Sequence, residues 1–143
     1  MSTVRPFAHA IDLLKRSGLR PTRQRIALAK LLFERENRHM TAEQLHEEVL
    51  GAKVAVSLAT VYNALHQFTN AGLLREVVVE PGRSYFDTNT GDHHHFYYED
   101  DSSLEDIPSE AVAITRMPSA PSGTTISRVD VVVRLSRTGK SCF

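Results

Sequence analysis

The chain has 143 residues, a length that fits one ordinary domain or two small ones. Its 17 basic residues balance 17 acidic ones, but the two halves of the chain differ. Residues 1–90 carry 12 basic and 9 acidic side chains, whereas residues 91–143 carry 5 basic and 8 acidic ones. A basic first half fits a surface that faces nucleic acid. The single cysteine, Cys142, excludes an intramolecular disulfide and a Cys-x-x-Cys zinc pair. The sequence has neither the apolar core of a signal peptide nor an apolar run of ~20 residues, so we expect a cytoplasmic protein with no membrane span.

Four amphipathic helices are predicted before Gly72 from apolar residues at helical spacing and from capping residues. The first stops near Ser17-Gly18, the second follows a Thr22 cap, and the third opens on a Thr41-x-x-Gln44 capping box. The fourth is capped by Ser57 and ends at Gly72, which can take the left-handed conformation. The predicted inward residues are Phe7, Ala10, Ile11 and Leu14, then Ile26, Ala29, Leu32 and Phe33, then Ala42, Leu45 and Val49, then Leu58, Val61, Leu65 and Phe68.

The outward face of the fourth helix carries no charged residue. It presents Ala59, Thr60, Asn63, His66 and Gln67, with Tyr62 at its margin. Asn and Gln can hydrogen-bond adenine in a major groove, and small side chains can meet the thymine methyl group. An ordinary surface helix shows the same pattern, so this face alone leaves both interpretations open.

Two short strands, 73–80 and 83–88, are predicted around a Pro81-Gly82 turn. Helices followed by such a hairpin are typical of a winged helix-turn-helix, in which the last helix enters the major groove. Arg75 and Arg83 on the hairpin are then expected near the DNA backbone.

The chain from 91 to 143 predicts a small second domain. Residues 93–98 favour a strand, 104–107 a partner strand, and 126–134 a final strand with one buried face. Apolar residues within 109–117 predict a short helix that two following prolines must end. These few elements bury too little surface to be stable alone, so we expect pairing with a second subunit.

Four motifs in order resemble the signatures of the ferric uptake regulator (Fur) family: Gly18-Leu-Arg-Pro-Thr-Arg-Gln-Arg25, His39-Met-Thr-Ala-Glu-Gln-Leu45, Ser57-Leu-Ala-Thr-Val-Tyr-Asn-Ala-Leu65 and His93-His-His95. Members of that family are dimeric, metal-responsive transcription factors. The resemblance implies an α+β fold with an N-terminal winged helix-turn-helix over residues 1–90 and a small C-terminal α/β dimerisation domain over residues 91–143. Within the family, residues 91–97 and 126–135 are most similar to the iron response regulator Irr of rhizobia and their relatives.

The chain also departs from the broader family pattern. Phe96 and Tyr97 stand where many members continue a His-His-His-Asp-His run, and Asn63 stands where an Arg is common. The paired cysteines of a structural zinc site and the Cys-Pro haem motif of some Irr proteins are absent from the sequence. Losing two ligands of the run weakens the case for a bare-ion site of the family type.

Three consecutive histidines carry the remaining chemistry. In a strand His93 and His95 point to one side and His94 to the other, and two convergent imidazoles can bind a metal ion or haem iron. The resemblance to Irr implies that His93, His94 and His95 sense haem. A family-type site for Fe(II), Mn(II) or Zn(II) would instead match His39, Asp87, His93 and His95.

A second group, His39, His46 and His66, falls on elements that pack together in a winged helix, so haem or metal bound there would disturb the DNA-reading surface. Three half-exposed histidines without a ligand explain the pattern equally well. Cys142 is interpreted as an incidental tail residue rather than an axial thiolate.

We therefore expect a non-enzymatic, iron-responsive transcriptional regulator whose homodimer or higher oligomer binds double-stranded operator DNA and releases it on binding haem. The predicted DNA-binding residues are Arg20, Arg23, Ser57, Thr60, Tyr62 and Asn63. The nearest alternative is a Fur-family sensor of Fe(II), Mn(II) or Zn(II) in which metal promotes DNA binding. A small His-based metalloenzyme is the remote alternative, because no partnered general base or nucleophile motif accompanies the histidine run.

Overall fold

The chain forms two compact units, one ending at Thr90 and the other beginning at Gly91. Residues 8–137 are described by the structure, a computed structural model. The predictions made for Phe7 and Cys142 lie outside those residues. None of the described helices is both long enough and apolar enough to cross a membrane.

The described part of the first unit contains four helices and a small antiparallel sheet. Its elements are α1 (Ala8–Arg16), α2 (Arg23–Phe33), β1 (His39–Met40), α3 (Ala42–Gly51), α4 (Leu58–Asn70), β2 (Arg75–Glu80) and β3 (Arg83–Asp87).

The predicted helix starts and stops are confirmed. The Thr22 and Ser57 side chains accept hydrogen bonds from the backbone N–H groups of the third residue of α2 and α4, and Thr41 forms the full capping box with Gln44. Gly72 has φ +81° just after α4, a conformation that other residues adopt only with strain. Local sequence therefore determines where these helices begin and end.

The helices and the sheet enclose one hydrophobic core, in which Leu28, Leu45, Leu65, Phe68 and Phe86 are fully buried. Most predicted inward positions are confirmed. The exceptions are half-buried: Ile26, Phe33 and Leu58, which pack against the core, and Ile11.

The sheet has the order β1-β3-β2, and β1 was not predicted from the sequence. His39 pairs with Asp87 and Met40 with Phe86, which draws the chain before α3 into the sheet. A strand of two residues is too short to show the alternation by which strands are recognised in a sequence. In the structure, the fully buried Met40 side chain anchors β1 to the sheet.

The expectation that Arg75 lies near the DNA backbone is wrong. Its side chain is buried, on the same strand face as the buried Val77 and Val79, whereas Arg83 is exposed. Side chains alternate along a strand, and the register of β2 against β3 therefore decides which face Arg75 occupies.

The second unit is a three-stranded sheet of order β5-β4-β6: β4 (His93–Tyr98), β5 (Ser103–Pro108) and β6 (Val132–Leu135). The central strand β4 runs antiparallel to β5 and parallel to β6. The strands predicted at 93–98 and 104–107 are confirmed.

The helix predicted within 109–117 is wrong. Only a single 3₁₀ turn, Ser109–Ala111, follows β5, and Ile114 and Met117 are exposed. The β-branched residues here lower helix propensity, and a short helix needs a buried face that this segment does not have. The final strand is also shorter than expected, because it starts at Val132 rather than at 126.

Candidate nucleic-acid interface and metal centre

The outward face of α4 has the exposure that its sequence predicts. Asn63, His66 and Gln67 are exposed, and Thr60 and Tyr62 are half-buried. No residue of α4 is charged, so this face offers amide, hydroxyl and aromatic groups alone. Such groups can meet base edges without first binding phosphate.

An open groove of about 400 Å³ lies between the start of α2 and this face. It is lined by Arg20 and Arg25 on one side and by Thr60, Asn63 and Gln67 on the other. The Arg25 guanidinium donates to the Gln67 side-chain oxygen at 2.8 Å and to the Arg20 carbonyl oxygen at 3.0 Å. Arg25 was not among the predicted DNA contacts. The signal that was available is its position in the Gly18–Arg25 motif, which contains three arginines.

Arg23 does not share that groove. It lines a separate groove with Gln24, Lys53 and Ala55, where the Gln24 amide donates to the Ala55 carbonyl oxygen at 3.3 Å. The two arginines that were predicted to bind phosphates, Arg20 and Arg23, therefore belong to different surfaces.

Ser57 serves the start of α4. Its hydroxyl accepts from the Thr60 backbone N–H at 3.1 Å and donates to the Thr60 hydroxyl at 2.9 Å. Its single hydroxyl hydrogen is therefore committed to the cap, and its role as a DNA contact stays a prediction.

Tyr62 is held from two sides. Its hydroxyl lies 3.1 Å from each carboxylate oxygen of Glu43 on α3, and partial burial together with that carboxylate raises the pKa of Tyr62. Its ring centroid lies 6.2 Å from that of His66, which in turn lies 5.8 Å from that of Phe86 on β3. The tyrosine therefore remains a neutral donor whose ring has a defined direction.

The three histidines predicted as a second haem site have different neighbours. His46 donates from Nε2 to the Val56 carbonyl oxygen at 2.9 Å, His66 packs on Phe86, and His39 lies in β1. Among the described residues, their nitrogens do not form a group close enough to share one ion. The second site stays a prediction without such a cluster to support it.

The second unit brings His93, His95 and Asp106 together. His93 and His95 are buried on one face of β4, and Asp106 pairs with His95 across β5. Nε2 of His93 lies 3.6 Å and Nε2 of His95 lies 3.4 Å from the same Asp106 oxygen. Each residue offers one ligand atom, and these atoms lie within 4.8 Å of one another. Asp106 was missed, because only strand pairing places it there.

The orientation of His93 fits a cation at this group. Its Nδ1 lies 2.7 Å from the Gly91 carbonyl oxygen, which can only accept, so the hydrogen is on Nδ1. In the neutral imidazole Nε2 then carries the lone pair and lies 3.6 Å from the Asp106 oxygen, so both atoms are available as ligands for one cation. A backbone carbonyl behind a metal-binding imidazole is a common way to orient it.

His94 has a different environment. It is half-buried on the opposite face of β4, together with Phe96 and Tyr98, and its Nδ1 accepts from the Val131 backbone N–H at 3.1 Å. Accepting at Nδ1 leaves the hydrogen of a neutral imidazole on Nε2. The strand alternation predicted for the histidine run is confirmed, and the three histidines do not converge on one point.

The metal set predicted from the sequence draws on both units. His39 and Asp87 belong to the first unit, and His93 and His95 to the second. Asp87 is buried at the end of β3, where its carboxylate accepts from the Asn89 backbone N–H at 2.9 Å.

Comparison with known proteins gives a consistent result. The model of the ferric uptake regulator family matches residues 16–133. The ferric uptake regulation protein of Bordetella parapertussis is 36% identical over 80 residues, which cover 56% of this chain and 58% of that protein. The ferric uptake regulator of Pseudomonas aeruginosa, solved with manganese, has a TM-score of 0.67 at 24% identity and covers 90% of this chain and 98% of its own. The Francisella tularensis regulator, solved with iron, also has a TM-score of 0.67, at 16% identity over 85% of this chain and 93% of its own.

These similarities differ in what they establish. The match to the Bordetella protein spans less than two thirds of its length. The two solved structures are under 25% identical and therefore show the fold. The predicted α+β class, with a winged-helix first part and a small second part, is confirmed.

Proposed function

The chain belongs to the ferric uptake regulator family, and on that premise we propose that it is a metal-responsive regulator that binds double-stranded operator DNA. The observation that carries the proposal is the uncharged, exposed face of α4 beside a groove lined by Arg20 and Arg25. Base edges need neutral donors and acceptors, and phosphates need cations nearby. Both kinds of group lie on one surface of the first unit.

Within this proposal, Thr60, Asn63 and Gln67 face the bases, and Arg20 contacts a phosphate. Arg25 is occupied with Gln67 and orients that amide. Three predicted contacts remain: Tyr62 lies at the margin of this face, Ser57 caps α4, and Arg23 lies in the other groove. A homodimer would present two such surfaces to the two halves of an inverted repeat.

The signal that the geometry favours is a divalent ion held by His93, His95 and Asp106. Two imidazoles and a carboxylate suit Fe(II), Mn(II) or Zn(II), and two regulators with this fold were solved with manganese and with iron. A bound ion would supply positive charge between groups that otherwise present lone pairs to one another. The Gly91 carbonyl orients His93, and both imidazoles are buried, whereas the Asp106 side chain is exposed to solvent.

Haem is the second candidate signal, with DNA released when it binds. The half-buried side of β4 favours it, because His94 lies there with Phe96 and Tyr98, an imidazole beside aromatic surface. Ligation through Nε2 of His94 would require its hydrogen to move, and the Val131 hydrogen bond to Nδ1 would then be lost. His93 and His95 are too buried to meet a porphyrin without rearrangement of the sheet.

Selection of DNA from a random duplex library tests the proposal. The metal-loaded protein is expected to enrich an inverted-repeat sequence, and anisotropy of that duplex then reports affinity with Fe(II), Mn(II), Zn(II) or haemin added. We expect a divalent ion to change the affinity at least about tenfold, a coupling within the usual range between two sites. Failure to enrich any sequence would overturn the DNA-binding proposal.

Two variants separate the signals. His95→Ala is expected to remove the response to the ion, whereas His9→Ala, an exposed histidine on α1, serves as the matched control and should retain it. A haemin response that survives His95→Ala but disappears in His94→Ala would replace the ion with haem as the signal. Turnover of a hydrolase substrate panel by the metal-loaded protein would instead support the remote metalloenzyme alternative.

A further inference from the structure

We propose that Glu43 is a positioning residue for DNA recognition, which occupies the Tyr62 hydroxyl so that this tyrosine meets DNA with its ring. By doing so it limits binding to DNA without the preferred sequence. The proposal rests on the DNA-binding function proposed above and identifies one source of its selectivity.

The geometry of the pair is specific. Glu43 lies in the first turn of α3, and both of its carboxylate oxygens are 3.1 Å from the Tyr62 hydroxyl oxygen. A tyrosine hydroxyl has a single hydrogen to donate. The hydrogen-bond donor of Tyr62 is therefore already used within the protein, at the margin of the face proposed to read DNA.

The ring of Tyr62 is also restrained along α4. His66, one turn further on, packs between Tyr62 and Phe86, and Phe86 is fully buried in the core. Glu43 holds one end of the tyrosine and His66 supports its ring, so the side chain is oriented before DNA arrives. An oriented ring loses less conformational entropy on binding than a free one.

A Tyr62 hydroxyl that did not bond Glu43 would favour contacts with phosphates, which do not depend on the DNA sequence. Phosphate oxygens accept hydrogen bonds at every position of a duplex and carry no sequence information. A free tyrosine hydroxyl would therefore strengthen binding to all DNA, whereas the ring can distinguish bases by contacts such as that with the thymine methyl group. The exposed Glu43 charge adds repulsion toward phosphates that come too close.

The experiment measures affinity for two probes: the duplex enriched by this protein and the unselected library of about 25 base pairs, long enough for two half-sites. The quantity compared is the ratio of the two affinities. Glu43→Ala is expected to lower that ratio about tenfold, mainly by tighter binding to the library, because both the acceptor and the charge are lost. Glu43→Gln keeps an acceptor for the hydroxyl and is expected to lower the ratio about threefold, the share of the charge.

A double-mutant cycle tests whether Glu43 acts through Tyr62. Tyr62→Phe keeps the ring and should lose less affinity for the enriched duplex than Tyr62→Ala, since the hydroxyl is not offered to DNA. In the Tyr62→Phe background, Glu43→Ala should change the ratio by no more than about threefold. Glu47→Ala, which removes an exposed carboxylate one turn along α3, is the matched control and should leave the ratio unchanged.

Three results would overturn the proposal. The first is a loss of enriched-duplex affinity in Tyr62→Phe as large as that in Tyr62→Ala, which would place the hydroxyl on DNA. Glu43→Ala and Glu47→Ala could lower the ratio equally, or Glu43→Ala could leave it unchanged while circular dichroism reports a folded protein. Failure of the proposed function is distinguishable, because the parent protein would then enrich no duplex at all.

Discussion

The two units of this protein differ in the share of apolar side chains among their buried residues, although the first also buries Arg75 and Asp87. The first encloses a continuous hydrophobic cluster of 16 buried residues, whereas the buried positions of the second comprise Tyr97, Leu104 and Ile107 together with His93 and His95. Apolar burial stabilises a fold in any solution, but buried imidazoles need a proton, a metal ion or a hydrogen-bond partner. We therefore expect apolar burial to contribute most of the stability of the first unit, and an ion bound to the histidines to add stability to the second.

The segment between β5 and β6 extends this difference. Ile114, Met117 and Ile126 are exposed along it, whereas the helices of the first unit turn their apolar faces inward. Three exposed apolar side chains on one segment are available for contact with another chain. A second subunit, proposed from the sequence, is consistent with this composition.

The largest expected effect is on the first unit. Phe68→Ala removes a fully buried ring that packs edge-on against Phe33 with centroids 5.8 Å apart, and we expect a loss of about 3–5 kcal/mol in the free energy of unfolding. Urea denaturation followed by helical circular dichroism measures it. Val78→Ala, at a position 60% exposed, is the control and should change stability by less than about 0.5 kcal/mol. If Phe68→Ala lowered the free energy of unfolding only slightly, the hydrophobic core would not be what stabilises the first unit, and the comparison between the two units would fail.

An intermediate effect is expected on the second unit when a divalent ion is added. At a Zn(II) concentration of 100 times its Kd, the ion should stabilise the unit by about 2.7 kcal/mol. Amide hydrogen exchange resolves the two units, and we expect slower exchange in β4 and β5 with no change in α4. His95→Ala should abolish the protection. Unchanged exchange in β4 and β5 would contradict an ion site at His93, His95 and Asp106.

The smallest expected effect depends on pH. Hydrogen bonds from the Ser103 hydroxyl and from the Arg137 guanidinium, each at 2.6 Å, lower the pKa of Asp101 to about 2. Because the folded pKa lies below the ordinary value near 3.9, the stabilisation is present above about pH 4 and is lost as pH falls toward 2. Carboxyl NMR titration reads the pKa directly, and Arg137→Ala should raise it. Salt should weaken the effect, because the pair is exposed. An Asp101 pKa near 4 in the parent protein would show that these hydrogen bonds do not stabilise the turn in the second unit.

The candidate sites were predictable to different degrees. The outward face of α4 follows from helical spacing in one continuous segment, so Asn63, His66 and Gln67 were correctly predicted to be exposed, whereas Thr60 is half-buried. Arg75 was placed wrongly, although its alternation with Val77 and Val79, opposite Glu76 and Glu80, was an available signal for the buried face. Asp106 and Glu43 were not singled out, since each gains its partner only through packing against another element.

What the sequence by itself determined is local. The helix ends depend on hydrogen bonds and backbone angles within a few residues, as at the caps Thr22, Thr41 and Ser57 and the left-handed Gly72. Each can therefore be predicted from the residues next to it in the sequence.

Only the tertiary structure decided how distant groups meet. The pairing of β4 with β5 brings Asp106 to His93 and His95, and the packing of α3 beside α4 brings Glu43 to Tyr62. The same holds for a helix that failed to form within 109–117, since a short helix is stable in water only where another element buries its apolar face. Register and burial are properties of pairs of segments, and the order of residues in one segment does not contain them.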